Sequence, residues 1–312
     1  MTTRWHGPRD GAVVAALSLT VLTGTAAAAQ APAPPAATRV VLLGAGNPNA
    51  EPDRSGPAVA IVVNGAVYLV DAGPGLVRRA EAARRAGVRD LAMENLRRVF
   101  VTHLHHDHTA GLPDLMFTPW TLGRTAPLEV FGPPGTSAMI EHLLEAWRED
   151  VRIRLDGLEP ANETGWRARA LDVAPGVVYR DSNVTVTAFA VSHGSWPTAF
   201  GYTFTTRDRT IVVSGDTRAT DAIVAQCAPC DVLVHEAYAQ AGWDRLPPDW
   251  QRYHASFHTS APDLGRLAAR ARPRLLVLYH QLTWSATPEQ MLAEIRRQFD
   301  GRVVYGKDLE VY

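Results

Sequence analysis

The stretch VTHLHHDHTAGL, residues 101–112, places four histidines and an aspartate within six consecutive positions. His103 and His105 lie two residues apart, so an extended backbone points both side chains to the same side. Asp107 and His108 follow on the predicted turn into a helix. One short segment can therefore supply two imidazoles to one metal ion, and a carboxylate with an imidazole to a second.

Imidazole and carboxylate ligands without thiolate favour zinc, with iron or manganese as alternatives. A structural zinc site would be closed by four ligands, often cysteines, and neither Cys227 nor Cys230 has the required spacing. His106 interrupts the alternation of ligands and is expected to be exposed or to support them. The pattern predicts a catalytic metal centre, and a histidine cluster on the surface is the alternative interpretation.

Around this stretch, short β-branched segments alternate with segments of helical spacing, which predicts one α/β domain of many strands. The predicted strands are residues 39–44, 58–63, 66–71, 97–103, 128–132, 184–193, 202–206, 210–216, 231–236, 274–280 and 302–306. The predicted helices are residues 75–88, 135–150, 261–272 and 287–299.

Several ligand-type residues each end one of the predicted strands, namely His103, His193, Asp216, His235 and His280. Sheets collect functional residues where strands meet loops, because the strand fixes the side chain and the loop leaves room for a substrate. We therefore expect these distant residues to meet at one site.

The N-terminal segment has a different composition from the rest of the chain. Residues 1–30 combine a basic start, an apolar run and a stretch of small residues, which is typical of a secretory signal peptide. Residues 31–38 are rich in proline and alanine and predict an extended linker before a domain at residues 39–312. We therefore expect a protein exported to the periplasm or the medium, where Cys227 and Cys230 could form a disulfide. An uncleaved membrane anchor is the alternative.

Charge is nearly balanced, with 31 basic and 32 acidic residues and a net charge of −1. This balance gives no electrostatic indication of nucleic acid or of an acidic membrane surface. We therefore expect a small-molecule ester as substrate, no nucleic acid as partner and no membrane contact beyond export. The sequence does not predict the oligomeric state.

Three further motifs follow the opening stretch in order: AVSHG at 190–194, SGDT at 214–217 and LYHQ at 278–281. With the H-x-H-x-D-H motif, they resemble the metallo-β-lactamase fold superfamily of binuclear metal hydrolases, across residues 39–312. The resemblance implies an αββα sandwich, in which two mixed β-sheets lie face to face and helices flank them. It also implies two Zn²⁺ ions, the first held by His103, His105 and His193, the second by Asp107, His108 and His280, with Asp216 bridging them.

HEAY at 235–238 and the HTS motif that begins at His258 resemble the branch shared by ribonuclease Z, arylsulfatases and phosphodiesterases. The resemblance implies that His258 assists the leaving group or the developing oxyanion and that Glu236 supports His258. Between His193 and Asp216 there is no room for a long tRNA-gripping arm, which disfavours tRNA processing. Asp216 also argues against β-lactamase activity. His105 stands where oxygen-reducing diiron relatives carry a glutamate, which argues against redox chemistry.

The expected reaction is ester hydrolysis by a hydroxide that bridges two zinc ions, with Asp107 orienting it. A phosphodiester or aryl sulfate ester is the first substrate class expected, and a lactone, carboxylic ester or thioester is the second. A zinc-binding protein without turnover is the non-enzymatic alternative. Trp120, Trp196, Trp243 and Trp250 near the motifs suggest an aryl or otherwise apolar leaving group, although core packing would also explain them.

Overall fold

Two β-sheets form the centre of the protein in residues 38–312, which the computed structural model describes. The predicted signal peptide and all but the last residue of the predicted linker lie outside the described residues. The strands are β1 (Arg39–Gly44), β2 (Ala58–Val63), β3 (Ala66–Val70), β4 (Arg98–Phe100), β5 (Leu128–Gly132), β6 (Ala168–Asp172), β7 (Gly176–Arg180), β8 (Val184–Ala190), β9 (Phe200–Thr206), β10 (Thr210–Val213), β11 (Val232–Tyr238), β12 (Leu275–Leu282) and β13 (Val303–Tyr305).

Both sheets combine antiparallel and parallel pairs. The first has six strands in the order β1-β2-β3-β4-β5-β6, and its pairs are parallel from β3 onward. The second has seven strands in the order β13-β12-β11-β10-β9-β8-β7, and its pairs are parallel between β10 and β13. Parallel pairing requires crossover connections, so helices cover the outer faces of both sheets.

The helices lie on the two outer faces and in the loops above the sheets. They are α1 (Leu76–Arg85), α2 (His106–Thr109), α3 (Leu112–Thr121), α4 (Thr136–Ala146), α5 (Arg148–Asp156), α6 (Asp221–Cys227), α7 (Gln240–Trp243), α8 (Pro248–Phe257), α9 (Ala261–Ala271) and α10 (Pro288–Arg296), with 3₁₀ turns at Arg89–Leu91 and Met93–Asn95. Among the described residues, none of these helices combines the length and the apolar character that crossing a membrane requires.

Strand β1 illustrates why the sequence forms four layers. Val40 and Leu42 belong to the core between the two sheets, whereas Val41 and Leu43 belong to the core beneath α1 and α3. Side chains alternate along a strand, so a strand buried on both faces is apolar throughout. A third core lies between the second sheet and α6, α9 and α10. The arrangement confirms the predicted class, an α/β fold with two mixed sheets flanked by helices.

The sequence missed β6 and β7, which are the edge strands of the two sheets. Most of their side chains are partly or fully exposed, so neither segment carries the apolar alternation by which buried strands are recognised. It also missed α3 and α8, which both begin with proline in the first turn. Strands β11 and β12 continue past His235 and His280, so these two residues lie within strands, not at their ends.

Residues 309–312 run along the outer edge of β1. Val40 N–H donates to the Tyr312 carbonyl at 2.9 Å, and Tyr312 N–H donates to the Val40 carbonyl at 2.8 Å. Val41 and Val311 are antiparallel bridge partners. The edge of the first sheet is therefore covered by the last residues of the chain, which leaves fewer free backbone groups for unwanted pairing.

Candidate metal centre

The histidine-rich stretch runs from the end of β4 into the short helix α2. His103 and His105 precede the helix, and Asp107 and His108 lie in its first turn. The backbone of the loop after β3 anchors this turn, because Ala72 N–H donates to the His108 carbonyl at 2.8 Å. The four side chains therefore leave one anchored turn at the carboxyl end of β4, an inner strand of the first sheet.

Three imidazoles converge as the first group of ligands. Nδ1 of His105 lies 3.0 Å from Nε2 of His103 and 3.1 Å from Nε2 of His193. Zn–N bonds of about 2.0–2.1 Å in a tetrahedral site separate ligand nitrogens by about 3.3 Å. Both separations are close to that value, so the three imidazoles are grouped as ligands of one zinc ion would be.

Asp107, His108 and His280 form the second group, and Asp216 lies between the two groups. Asp107 Oδ2 is 3.2 Å from Nε2 of His280 and 3.5 Å from Nε2 of His108. Asp216 Oδ2 is 3.2 Å from Nε2 of His280, 3.4 Å from Nε2 of His108 and 4.0 Å from Nε2 of His103. The structure thus brings all seven predicted ligands together, and Asp216 faces both groups.

The residues fit two metal ions. His108 Nε2 and Asp216 Oδ1 are buried and have no hydrogen-bond partner in the described protein, although orphaned buried polar atoms are costly. Both residues belong to clusters whose ligand atoms lie within 4.8 Å of one another. A cation at each cluster would satisfy them, and the histidine and carboxylate donors suit zinc.

Unusual backbone conformations orient two of the expected ligands, Asp216 and His280. Gly215, immediately before Asp216, has φ of +60°, and a Cβ there would meet the Phe200 carbonyl at 2.6 Å. His280 has no partner in the register between β11 and β12, where Glu236 pairs with Tyr279 and the next residue pairs with Gln281. This bulge gives His280 a φ of +46° and turns its ring toward the site, as bulges next to active sites do.

Asp71 is a buried carboxylate that hydrogen-bonds to one of the expected ligands, and the sequence did not point to it. Its Oδ2 accepts a hydrogen bond from Nδ1 of His108 at 2.8 Å, and its Oδ1 accepts one from Thr102 N–H at 2.7 Å. A carboxylate on the second ring nitrogen fixes the tautomer and orientation of a ligating histidine. The available signal was an acidic residue at the end of a predicted buried strand.

Burial and neighbouring charge set the protonation of the histidines. Burial lowers the pKa of His193 to about 3 and that of His103 well below its ordinary value. Burial would also lower the pKa of His108, but the carboxylates of Asp216, Asp107 and Asp71 outweigh burial and raise that pKa well above its ordinary value. The first group therefore offers neutral imidazoles, and the second is surrounded by negative charge that a divalent cation would balance.

The predicted pair of His258 and Glu236 lies beside the second group. Nδ1 of His258 is 3.3 Å from Oε2 of Glu236 and 3.8 Å from Oδ2 of Asp216. Glu236 is fully buried, and its Oε1 accepts a hydrogen bond from Thr259 N–H at 2.7 Å. Burial lowers the pKa of His258 to about 4, whereas burial and the Asp216 carboxylate raise the pKa of Glu236 well above its ordinary value.

A cavity of about 690 Å³ opens above the ligands. Its lining includes His105, Asp107, Asp216 and His258, together with the exposed His106. Of the tryptophans singled out in the sequence, Trp250 lines this cavity and Trp196 donates from Nε1 to Nε2 of His105 at 2.7 Å. Trp120 instead packs in the core beneath the first sheet, and Trp243 donates to the Gln251 carbonyl outside the cavity lining. The sequence analysis missed Trp284, which lines the cavity.

Comparisons with known proteins place the chain in a family. The family model described as the beta-lactamase superfamily domain matches residues 67–281. Ribonuclease Z of Mycolicibacterium paratuberculosis is 30% identical over 278 residues, which cover 86% of this chain and 96% of that protein. The fold is similar to the metallo-β-lactamase fold protein YhfI from Bacillus subtilis, with a TM-score of 0.68 and 18% identity, covering 88% of this chain and 98% of that one. Human tRNase Z, short form, has a TM-score of 0.63 and 22% identity at the same coverage.

These relatives confirm the resemblance and overturn one expectation. The expectation of a small-molecule ester as substrate and no nucleic acid as partner is wrong, because the relative matched over nearly its full length is a ribonuclease. The balanced net charge carried that expectation, yet net charge describes the whole surface and says little about one site. The short interval between His193 and Asp216 does not exclude the relationship either.

Proposed function

The chain belongs to the beta-lactamase superfamily, a family of hydrolases, and to its ribonuclease Z branch, and on that basis we propose that it is a two-zinc phosphodiesterase that cleaves RNA. The observation that carries the proposal is the position of Asp216. Its Oδ2 lies within 3.2–4.0 Å of ligand nitrogens from both groups, at the floor of the cavity. Two ions held by these residues would stabilise the charge on the attacking and leaving oxygens of a phosphodiester.

Zinc is the metal that this ligand set supports best, with iron or manganese as alternatives. All seven donors are imidazole nitrogens or carboxylate oxygens, and neither cysteine belongs to the site. When bound, the two ions lower the pKa of a coordinated water and polarise a phosphoryl oxygen, which supplies a nucleophile at neutral pH.

His258 and Asp107 are the protein groups placed to handle protons. His258 lines the cavity with Nδ1 3.3 Å from Oε2 of Glu236, so a proton on its other ring nitrogen, Nε2, can be donated to the departing oxygen. Asp107 reaches the cavity and can accept a hydrogen bond from the attacking water, which orients it. Glu236 acts through His258 and is a positioning residue.

Export to the periplasm or the medium is part of the proposal. It is supported by the signal-peptide pattern of residues 1–30 and by the disulfide between Cys227 and Cys230, which suits an oxidising compartment. Expression of the full chain, followed by cell fractionation and N-terminal sequencing, tests it. A cytoplasmic protein that keeps its first residues would contradict export.

The activity test compares zinc-loaded protein on a labelled single-stranded RNA, bis-p-nitrophenyl phosphate, p-nitrophenyl sulfate and p-nitrophenyl acetate. His108→Ala removes a ligand, and His142→Ala removes an exposed histidine of α4 as the matched control. We expect cleavage of RNA and of the phosphate diester by the wild type and by His142→Ala, and none by His108→Ala.

Other outcomes would replace the proposal. Preferred turnover of the sulfate would make the protein a sulfate ester hydrolase, and turnover of the acetate alone would point to carbonyl esters. No turnover while two zinc ions are bound would leave a zinc-binding protein. Metal content is measured on the same samples, so a loss of activity can be separated from a loss of metal.

A further inference from the structure

Part of the cavity lining is apolar and aromatic. This part forms a wall that contains Leu246, Pro247, Trp250, Tyr253 and Trp284. Among the described residues that line the cavity there is no arginine or lysine. The wall therefore offers stacking and apolar contact, and it offers no positive side chain to a phosphate.

Helix α8 supplies Trp250 and Tyr253 of this wall from one face. Counted from Trp250, the aromatic residues of α8 follow at three, four and seven positions, which places all of them on the same side of the helix. They are Tyr253, His254 and Phe257. Trp250 stacks on His254 with ring centroids 5.7 Å apart, and Tyr253 stacks on Phe257 at 4.3 Å. The Phe257 ring lies 4.9 Å from that of the ligand His193. A row of aromatic rings thus leads from the exposed Trp250 through Tyr253 and Phe257 to the expected ligand His193.

The outer rings of this row are exposed although they are large. Trp250 is 55% exposed and Tyr253 is 37% exposed, while Trp284 packs against His254 with centroids 4.5 Å apart. Exposed aromatic rings beside an active site serve as stacking surfaces for planar groups, and every nucleobase has such a face. We refer to Trp250, Tyr253 and Trp284 as the aromatic platform.

We propose that the aromatic platform binds, by stacking, the unpaired nucleobase of the nucleotide next to the scissile phosphodiester. This inference rests on the proposed function and specifies its substrate as single-stranded at the cleavage point. Because no arginine or lysine of the described residues lines the cavity, the platform would bind the base by stacking, while the phosphate is left to the two proposed metal ions.

A binding experiment tests stacking without requiring turnover. The probe is 2-aminopurine riboside 5′-monophosphate, whose fluorescence is quenched on stacking, titrated into zinc-loaded protein. Loss of one stacking partner typically weakens binding by roughly 5- to 100-fold. We expect a loss of that size for Trp250→Ala and near-normal binding for Trp250→Phe, which keeps an aromatic ring.

Trp147→Ala is the matched control, since Trp147 is 39% exposed, packs on Phe117 and lies outside the cavity lining. It should bind the probe like the wild type. Equal binding by Trp250→Ala and the wild type would overturn the platform. So would weaker binding in Trp147→Ala of the same size as in Trp250→Ala, because the effect would then not be local.

Kinetics separates this inference from the proposed function. With RNA as substrate, Trp250→Ala should raise KM and leave kcat within a few-fold of wild type. If RNA is cleaved but KM and probe binding do not change in Trp250→Ala, the platform is wrong and the nuclease stands. If the probe binds through Trp250 but no phosphodiester is cleaved, the proposed function is wrong and the platform stands.

Discussion

At the scale of single residues, Asp71 shows how much of a metal site lies outside its ligands. Its carboxylate holds Nδ1 of His108 and the backbone N–H of Thr102, so it fixes the direction in which His108 presents Nε2. Thr102 Oγ1 lies 3.0 Å from Nδ1 of His103 and extends the support to the first group. The ligands are therefore held in place before a metal binds.

Asp71→Asn should weaken zinc binding about 10- to 100-fold, because partners of this kind contribute that much to metal affinity. The measurement is competition with a chromophoric chelator. Asp53→Asn, at an exposed position, is the matched control and should bind zinc like the wild type. Unchanged zinc affinity in Asp71→Asn would mean that the sheets alone orient His108.

His258→Ala should lower kcat on RNA by roughly 10²- to 10⁴-fold, the usual contribution of a proton donor, while both zinc ions stay bound. Metal analysis and single-turnover kinetics on the same preparation check this. Glu236→Gln should lower kcat less, since it changes only how His258 is held. Loss of zinc from His258→Ala would show instead that the residue has a structural role.

The seven expected ligand positions came from the family resemblance, whose motifs are short stretches that can be read locally, and the structure brings these residues together. The importance of Asp71 and Trp284 could not be predicted in the same way. In the sequence, Asp71 is only an acidic residue at the end of a predicted strand, and its hydrogen bond to His108 appears only in the fold. Trp284 reaches the cavity through tertiary packing. The role of a residue that acts through a neighbouring side chain can be recognised only when the structure shows which side chain it contacts.

At the scale of elements, α3 depends on one buried arginine. Pro119 lies inside α3 and lacks the N–H that would bond to the Leu115 carbonyl. Arg124 is fully buried and donates to the carbonyls of Leu115 and Met116, and also to those of Leu96 and Gly165. Burial lowers the pKa of Arg124 to about 10, so the side chain stays charged at neutral pH.

Arg124→Met should lower the free energy of unfolding by about 3 kcal/mol, since several buried carbonyls would lose their donor. Urea unfolding followed by circular dichroism measures the change. Arg207→Met, at an exposed position in the turn between β9 and β10, should change stability little. Equal stability of the two variants would show that water replaces the guanidinium.

Elements with regular apolar patterns were predicted well, whereas the edge strands of the sheets and the helix beside the cavity were not. Strands β1, β2 and β5 match their predicted bounds, because burial makes most of their residues apolar, with only Arg39 at the start of β1 and Glu129 inside β5 as charged exceptions. The edge strands β6 and β7 need no such apolar composition. Helix α8 was missed because its aromatic face lines a cavity, which places less apolar surface in the core than a packed helix has.

At the scale of the whole molecule, the candidate metal centre joins the two sheets. His103 and His105 follow β4 of the first sheet, whereas His193, Asp216 and His280 belong to the second sheet or to loops that leave it. A metal ion at this position would connect both halves of the sandwich. Its binding energy would then add to the stability of the entire fold.

Removal of metal by EDTA should lower Tm by roughly 5–10 °C, the shift expected when a ligand present at about 100 times its Kd is withdrawn from a domain of this size. Differential scanning calorimetry measures the shift. Added zinc should restore the original Tm, and His108→Ala should show a smaller response to EDTA. An identical Tm with and without chelator would mean that metal does not hold the sheets together.

The position of residues 309–312 against β1 has a consequence for the order of synthesis. A ribosome releases all six strands of the first sheet before it reaches residues 309–312, so β1 emerges with its outer edge uncovered. The pairing of that edge joins residues far apart in the sequence and is therefore among the contacts that close the longest loop of chain.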